Sequence, residues 1–328
     1  MQRKTILSGM RPTGRLHIGH LSVLENWVKL QEENDCYFMV ADWHAITTAF
    51  ENTEQIAANT RELVLDWLAA GLDPEKAAIF VQSKVQQHAE LHLVFSMITP
   101  ISWLERVPTY KDQIQQFGDQ GKDINTYGFL GYPLLQAADI LVYLADAVPI
   151  GQDQLPHLEL TREVGRRFNY LYQTQLFPEP QAILGEVPLL PGLDGRKMSK
   201  SYGNDISMVE EPESLWQKIR QMVTDPARVR RQDPGNPDVC VVYTYQKIYN
   251  PAAIVEIAEG CRTAGIGCID CKKQLAERLN EVMTPLRERR RHYSEQAGLV
   301  EEVLAAGRDK ASRKAEATMQ RVREALKF

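Results

Sequence analysis

Two histidines three residues apart open the first stretch that could do chemistry, His17-Ile18-Gly19-His20. It follows a short apolar segment, 5–10, and a loop containing Gly14. A helix that begins after such a loop presents free backbone N–H groups that suit phosphate, and glycines let a nucleotide approach the backbone closely. Two imidazoles on one helix face can donate hydrogen bonds to a triphosphate. For so short a match, a structural histidine at a helix start is the more common alternative.

A second basic stretch, Lys197-Met198-Ser199-Lys200-Ser201, follows a glycine-containing loop, 191–196. Two lysines three residues apart on such a loop can close over a leaving pyrophosphate, because nucleotidyl transfer depends mostly on positioning and charge neutralisation. The alternative is an ordinary solvated basic loop. In this order, and separated by a full α/β segment, the two stretches together predict adenylation, at best of an amino acid. Four side chains are then predicted to be catalytic: His17, His20, Lys197 and Lys200.

Four of the five cysteines lie close together in the last third of the chain, as Cys240, Cys261, Cys268 and Cys271, separated by 20, 6 and 2 residues. Thiols clustered in a cytosolic protein favour metal ligation over disulfides. Four of them suit a tetrahedral zinc ion or a [4Fe–4S] cluster, and their spacing does not decide between the two. Cys36, in an apolar strand, is predicted to serve packing.

The composition is typical of a globular protein, with 328 residues, 44% hydrophobic and 25% charged. This length favours two domains, and the lack of a long apolar run predicts a cytoplasmic protein without a membrane span or signal peptide. The net charge of −5 argues against nucleic-acid binding. However, Arg228, Arg230 and Arg231 form a local cationic loop, and the arginines of 287–291 are explained equally well as a solvated helix face or a binding surface.

Apolar strand patterns alternate with helical patterns in the first half of the chain. The strands are predicted near 5–10, 37–42, 78–82 and 148–151, and the helices near 17–32, 53–70, 132–144 and 154–168. Alternation of this kind predicts a parallel sheet with right-handed crossovers. Thr53 is predicted to cap one helix and Gly71 to end it. The stretch 88–130 breaks the alternation and is interpreted as an insertion, and the chain after residue 201 is mostly helical.

Three further stretches accompany the two basic motifs: Ala-Asp-Trp-His-Ala-Ile-Thr-Thr at 41–48, Gly-Tyr-Pro-Leu-Leu-Gln-Ala-Ala-Asp-Ile-Leu at 131–141, and the segment 148–162. With them the chain resembles the class I aminoacyl-tRNA synthetases, and more narrowly the bacterial-type tryptophanyl-tRNA synthetases, over nearly its whole length. The resemblance implies an α/β fold. Its parts would be a Rossmann-like catalytic domain at 1–201 with a helical insertion at about 88–130, and an all-α anticodon-binding domain at 202–328.

The resemblance also implies two sets of binding residues. For ATP they would be Arg11, Pro12, Thr13, Gly19, His20, Gly151, Gln152, Asp153, Val187, Lys197, Met198, Ser199, Lys200 and Ser201. For tryptophan they would be Asp139, Tyr132, Gln136, His44 and Gln154. Many members of the family carry Asn in place of His20, Met in place of Gln136 and Glu in place of Gln152. The last two departures change the wall of the indole pocket and the ribose contact relative to those members.

Asp139 has a physical reason to bind the indole ring. An indole has one hydrogen-bond donor and no acceptor, so a carboxylate facing it pairs well, whereas a phenylalanine substrate would leave that carboxylate unpaired. The surroundings of Asp139, Ala137-Ala138 before it and Ile140-Leu141 after it, are apolar, and an unpaired carboxylate there would be costly. A structural helix carboxylate is the alternative.

For the cysteines, the resemblance favours a [4Fe–4S] cluster over zinc, because a subset of the family has a similar pattern near its anticodon-recognition surface. It implies ATP and Mg²⁺ for adenylation of L-tryptophan, with tRNA-Trp as partner and Arg228, Arg230 and Arg231 as tRNA contacts. A homodimer is expected, with the stretch 91–104 as a candidate surface. The alternatives are a tyrosine-specific synthetase, a small-molecule adenylyltransferase, and an inactive relative that senses tryptophan or iron–sulfur status.

Overall fold

A computed structural model of the chain describes residues 3–119, 121–185 and 190–328. The strands are β1 Thr5–Met10, β2 Asp35–Val40, β3 Ala77–Val81, β4 Ala147–Ile150 and β5 Gln181–Leu184. The helices before β5 are α1 Leu21–Glu33, α2 Asp42–Ala49, α3 Ile56–Ala70, α4 Gln87–Ile98, α5 Ile101–Glu105, α6 Pro108–Gly118, α7 Tyr127–Leu130, α8 Tyr132–Leu141 and α9 Leu155–Leu171. Those after β5 are α10 Pro212–Gln221, α11 Val241–Tyr249, α12 Ile254–Arg262, α13 Cys268–Ser294 and α14 Leu299–Leu326.

The five strands form one parallel sheet in the order β3-β2-β1-β4-β5. The chain builds β1, β2 and β3 outward in one direction and then returns to the other side of β1 for β4 and β5. In open α/β sheets, ligands bind outside the carboxyl ends of the strands at such a reversal. The predicted parallel α/β fold is confirmed, and its topology directs attention to the ends of β1 and β4.

Alternating side chains of the strands pack on opposite faces of the sheet, as the two-residue period of a strand requires. Leu7, Tyr37 and Phe80 pack in one apolar core with side chains of α4, α8 and α9. Their neighbours Ile6 and Phe38 point to the other face, into a core with side chains of α1 and α3. Both faces are therefore covered, which is typical of parallel sheets.

Several predicted elements differ from the structure in their limits. Helix α3 begins at Ile56 after a turn in which the Ile56 N–H donates to the Thr53 carbonyl, so the prediction of Thr53 as the cap is wrong. Gly71 does end this helix, with φ at +110°. Asp42 begins α2 instead of ending a strand, and its carboxylate accepts the backbone N–H groups of Trp43 and Ser83. Neither α2 nor β5 was predicted.

The segment between β3 and β4 contains the region interpreted as an insertion. It forms helices α4 to α7, and α4 packs against α8 in the core of the sheet. After α6 the chain turns back towards the sheet, where the Lys122 ammonium donates to the Thr48 carbonyl at the end of α2. The insertion therefore stands beside the carboxyl edge of the sheet.

The C-terminal helices are partly joined to the sheet. A Cβ at Gly307 in α14 would lie 1.9 Å from the Ile79 carbonyl oxygen, so only glycine lets this helix lie against the edge strand β3. Ala311, Ala315 and Met319 of α14 are buried in the same core as Phe80. The predicted division at residues 201 and 202 stays a prediction. None of the helices in the described ranges is long and apolar enough to cross a membrane.

The second arginine cluster, within α13, makes structural contacts at three of its four members. The Arg287 guanidinium is buried and donates to the Glu210 carbonyl, and that of Arg289 donates to the Ala69 carbonyl. The Arg290 guanidinium binds Asp66, whose other oxygen accepts the N–H of Leu16. The contacts of Arg289 and Arg290 fasten α13 to α3 and, through Asp66, to the loop that precedes the histidine motif.

Candidate active site

A cavity of about 360 Å³ opens at the carboxyl edge of the sheet, between the ends of β1 and β4. The segments 7–11 and 148–151 form its floor, as the reversal of strand order predicts. Helices α2, α8 and α9 supply its polar walls. All five residues predicted to bind tryptophan line it: His44, Tyr132, Gln136, Asp139 and Gln154. Arg11 and Gly151, predicted for ATP, line it as well.

Asp139 is 1% exposed, yet both of its carboxylate oxygens are well supplied with donors. Oδ1 accepts from Gln82 Nε2 and from His88 Nδ1, each at 2.7 Å. Oδ2 lies 2.6 Å from His44 Nε2. Burial by itself raises the pKa of Asp139, but the charge and hydrogen bonds of His44 and His88 outweigh it and hold the pKa well below its ordinary value. The group is therefore an ionised acceptor inside an apolar wall.

A chain of polar side chains crosses the other wall of the cavity. Gln154 Nε2 donates to Asp153, Gln154 Oε1 lies 2.8 Å from His157 Nδ1, and His157 Nε2 lies 3.1 Å from the Tyr132 hydroxyl. Burial is the main cause that lowers the pKa of His157 to about 4, so this ring is neutral. The Asp153 carboxylate also lies close to Gly151, where an added Cβ would be 2.6 Å from Asp153 Oδ1. The sequence prediction missed His157, although its spacing of three from Gln154 on a helix placed both on one face.

The last three residues of the histidine motif form a short 3-10 helix, Ile18–His20, before α1. The rings of His17 and His20 lie 3.9 Å apart between centroids. Burial, with smaller contributions from His20 and Lys200, lowers the pKa of His17 to about 3, and burial likewise lowers that of His20. Both imidazoles are therefore neutral and can donate hydrogen bonds without adding charge. A Cβ at Gly19 would approach the His17 ring to 3.0 Å, so glycine makes room for that ring.

The lysine motif lies against the histidine motif. A short ladder joins the segments, in which the Ile18 N–H donates to the Ile206 carbonyl and the Met208 N–H to the Leu16 carbonyl. The Met198 sulfur lies near Gly19. The Lys200 ammonium donates to the Thr13 carbonyl at 2.9 Å, across from the histidines. The structure thus brings together the two motifs that the sequence kept about 180 residues apart.

Asn204 is a buried residue that organises the lysine loop, and the sequence prediction missed it. Its side-chain oxygen accepts the Ser199 N–H, and its amide donates to Asp194 and to the Lys197 carbonyl. A Cβ at Gly192 would stand 2.3 Å from that amide nitrogen. The Lys197 side chain is exposed on this loop.

Some predicted ATP residues can be located only in part. Pro12 is buried in the loop after β1, while Gln152 is exposed in a 3-10 helix at the end of β4. Val187 lies outside the described residues, as does the side chain of Ser201. The roles assigned to all of these residues stay predictions.

The four clustered cysteines line one small cavity of about 30 Å³ between the loop around residue 228 and helices α11, α12 and α13. The chain is tightly packed around the cysteines, because a Cβ added at Gly235 would be 2.8 Å from the Cys261 sulfur. Within the described ranges, no three His, Cys, Asp or Glu side chains are arranged to hold a metal ion. Cys36 is fully buried in β2, and burial raises its pKa to about 12.

Arg228 is directed inward beside the cysteines. Its guanidinium donates to the carbonyls of Arg231 and Ile266 and lies 3.9 Å from the Cys261 sulfur. Arg230 and Arg231 are exposed on the same loop. Of the three arginines predicted for tRNA, Arg228 therefore also braces the loop that carries the other two.

Comparison with known proteins adds three findings to this geometry. The family model described as class I tRNA synthetases (W and Y) matches residues 1–284. The tryptophan–tRNA ligase of Thermotoga maritima is 54% identical over 325 residues, covering 98% of this chain and 98% of that protein. That of Ralstonia nicotianae is 45% identical and also covers 98% of each chain.

Among solved structures, the chain is similar to tryptophanyl-tRNA synthetase from Campylobacter jejuni in complex with ADP and tryptophan. The TM-score is 0.87 at 30% identity, and the match covers 99% of this chain and 100% of that one.

Proposed function

The chain belongs to the class I tryptophanyl-tRNA synthetases and is a tryptophan–tRNA ligase, and from this premise we propose which of its residues carry out the reaction. The enzyme activates L-tryptophan with ATP to tryptophanyl-adenylate and transfers the aminoacyl group to tRNA-Trp. The observation that carries the assignment of residues is the cavity at the ends of β1 and β4, which joins a buried carboxylate on α8 to the loop preceding the histidine motif.

Asp139 receives the indole N–H of tryptophan. A carboxylate offers about four acceptor positions, and Gln82, His88 and His44 use three of them. One position remains for the substrate, in a cavity with the apolar side chains Met39 and Phe129. Tyr132, Gln136, His44 and Gln154 complete the amino-acid side of this pocket.

The phosphates of ATP lie where the histidine and lysine motifs meet. The tryptophan carboxylate attacks the α-phosphorus, the bond to the bridging oxygen breaks, and pyrophosphate leaves with the electron pair. Neutral His17 and His20 donate hydrogen bonds to the developing charge, and Lys197 and Lys200 neutralise it. Arg11, Pro12, Thr13 and Gly19 contact the phosphate side, with Met198, Ser199 and Ser201. Gly151, Gln152, Asp153 and Val187 hold the ribose and adenine.

Mg²⁺ is expected with ATP in a class I synthetase, and when bound it neutralises phosphate charge. The residues around the phosphate region fit an ion held mainly by the nucleotide, because the motifs supply cations and neutral donors and no group of acidic ligands is found within the described ranges. The experiment for the whole assignment is exchange of pyrophosphate into ATP that depends on tryptophan, followed by aminoacylation of tRNA.

We propose that Cys240, Cys261, Cys268 and Cys271 would hold a [4Fe–4S] cluster, with zinc as the alternative occupant, although the side chains within the described ranges are not arranged as metal ligands. Two observations support the fit: the donor set is four thiols, and all four line one cavity between a loop and three helices. Such a group would join α11, α12 and α13 covalently through metal–thiolate bonds. Arg228, in contact with Cys261, would then brace Arg230 and Arg231 as contacts for tRNA.

Anaerobic purification is expected to yield protein with about four iron atoms per chain and a broad visible absorption band. Cys268→Ser is expected to lose most of the iron, because one ligand is missing. Cys36→Ser is the matched control, since Cys36 is buried in the sheet away from the group, and it should keep the iron. Stoichiometric zinc without iron in the wild-type protein would instead establish zinc as the occupant.

The enzyme is a homodimer that associates through the stretch 91–104. Three large apolar side chains there are exposed: Leu93 by 57%, Met97 by 74% and Ile101 by 63%. Leu93 and Met97 are four residues apart on α4 and so share one face, and Ile101 begins the next helix. An apolar group of this kind on a protein surface is typical of an interaction site.

Light scattering coupled to size exclusion is expected to give twice the chain mass for the wild-type protein. Met97→Asp is expected to shift the population to monomer, because a charge at the centre of an apolar contact is costly to bury. Val255→Asp is the control, since Val255 is equally exposed but lies on α12, outside this stretch. A wild-type monomer, or a dimer unaffected by Met97→Asp, would contradict the assignment.

A further inference from the structure

His88 is a fully buried histidine that the reaction described above does not use. Its two ring nitrogens are both engaged: Nδ1 lies 2.7 Å from Asp139 Oδ1, and Nε2 lies 2.7 Å from the Tyr143 hydroxyl. Tyr143 is likewise fully buried, and its ring packs against the His88 ring at 5.3 Å between centroids. Such a ring cannot rotate or move without breaking a buried hydrogen bond, which is costly.

The His88 ring is held at both of its nitrogens, by a carboxylate on one side and a phenol on the other. An ionised carboxylate only accepts, so His88 Nδ1–H donates to Asp139. Burial and the charge of Asp139 raise the pKa of Tyr143 well above its ordinary value, so its hydroxyl keeps its proton. The other ring nitrogen, Nε2, pairs with the Tyr143 hydroxyl. The chain runs from Tyr143 through His88 to Oδ1 of Asp139.

The two oxygens of Asp139 have different surroundings. Oδ1 is filled by His88 and Gln82, and neither of those residues lines the cavity. Oδ2 is bound by His44, which does line the cavity. With Oδ1 filled from behind, the remaining acceptor position of the carboxylate belongs to Oδ2, on the side where the substrate lies.

We propose that His88 is a positioning residue for tryptophan recognition: by filling Oδ1 of Asp139 from behind, it directs Oδ2 at the indole N–H. Gln82 supports the same orientation. The proposal rests on the assignment of Asp139 as the indole acceptor. His88 itself touches neither substrate nor the reacting atoms, so its effect must reach the reaction through the indole contact alone.

The test compares tryptophan with an analogue in which sulfur replaces the indole N–H. Pyrophosphate exchange gives kcat/KM for each substrate, and the ratio used below is the value for tryptophan divided by the value for the analogue. Asp139→Asn is measured first, and it should bring the ratio close to one. His88→Phe keeps a ring of similar size without a donor, and it should lower the ratio by about tenfold to a hundredfold, the effect of one hydrogen bond to a charged group. His88→Asn restores a donor near the position of Nδ1 and should recover most of the ratio.

Two controls separate positioning from packing. Tyr143→Phe removes one hydroxyl and keeps the bulk, and it should lower the ratio several-fold even if His88→Phe does not fold. His292→Phe changes an exposed histidine on α13 and should leave the ratio unchanged.

The outcomes distinguish the two assignments. If Asp139→Asn keeps the wild-type ratio, Asp139 is not the indole acceptor and the proposed function fails at that contact. If Asp139→Asn brings the ratio close to one but His88→Phe or Tyr143→Phe slows both substrates equally, His88 is structural only and the inference is overturned.

Discussion

Lys200→Ala is expected to lower the rate of tryptophan-dependent pyrophosphate exchange by about 10²- to 10³-fold, with the affinity for tryptophan changed only a few-fold. The Lys200 ammonium lies 2.9 Å from the Thr13 carbonyl, in the loop that leads into the histidine motif. From there it can reach phosphate oxygens that gain charge as pyrophosphate leaves. Removing it therefore weakens binding of the transition state more than binding of tryptophan.

The measurement for Lys200→Ala is steady-state exchange, with tryptophan binding followed separately. Lys273→Ala is the matched control, because Lys273 is an exposed lysine on α13 and belongs to neither motif. Equal losses in rate and in tryptophan affinity would contradict a role in the transition state. A rate unaffected by the change would remove Lys200 from the catalytic set.

Asp139→Asn is expected to lower kcat/KM for tryptophan by about 10²- to 10⁴-fold, because the indole N–H then faces a donor or no partner at all. The asparagine has the same shape, but only one of its side-chain atoms accepts hydrogen bonds. His88 and Gln82 would claim that atom, which leaves an amide N–H₂ towards His44 and the substrate. The pocket would keep its form and lose its acceptor.

Exchange kinetics over a range of tryptophan concentrations measure this effect, and a thermal melt confirms that the variant is folded. Asp309→Asn, an exposed carboxylate on α14, serves as the control. A loss of less than about threefold in the folded variant would show that another group receives the indole N–H. A gain of tyrosine activity is not expected, because no acceptor for a tyrosine hydroxyl is created.

The sequence predicted the parts of the fold whose pattern is local. Strands β1 to β4 are apolar runs next to turns, and Gly71 ends α3 because only a left-handed residue fits there. It failed for β5, a four-residue edge strand with two exposed residues that carries little pattern. It failed for α2 because the apolar run of β2 continues into Ala41, which hides the point where the helix begins.

The residues of the candidate site also divide into those that the sequence identified and those that only the structure shows. The histidine and lysine motifs were identified by residue type and spacing, and the fold brings them together. Asp139 was identified through the family resemblance, with its apolar surroundings as support. The partners of Asp139 were not identified, since Gln82 and His88 are 57 and 51 residues away and only tertiary structure joins them to it. Arg228 gave no sign of its inward direction, because a proline-flanked basic loop resembles an exposed one in sequence.

Pyrophosphate exchange measured with tryptophan and with tyrosine in parallel shows whether this cavity activates tryptophan with ATP. Exchange is expected with tryptophan in the absence of tRNA, and little or none with tyrosine at the same concentration. Exchange that favours tyrosine would contradict the specificity assigned to Asp139 and its pocket. Absence of exchange with either amino acid, in protein that is folded and binds ATP, would contradict the catalytic assignment itself.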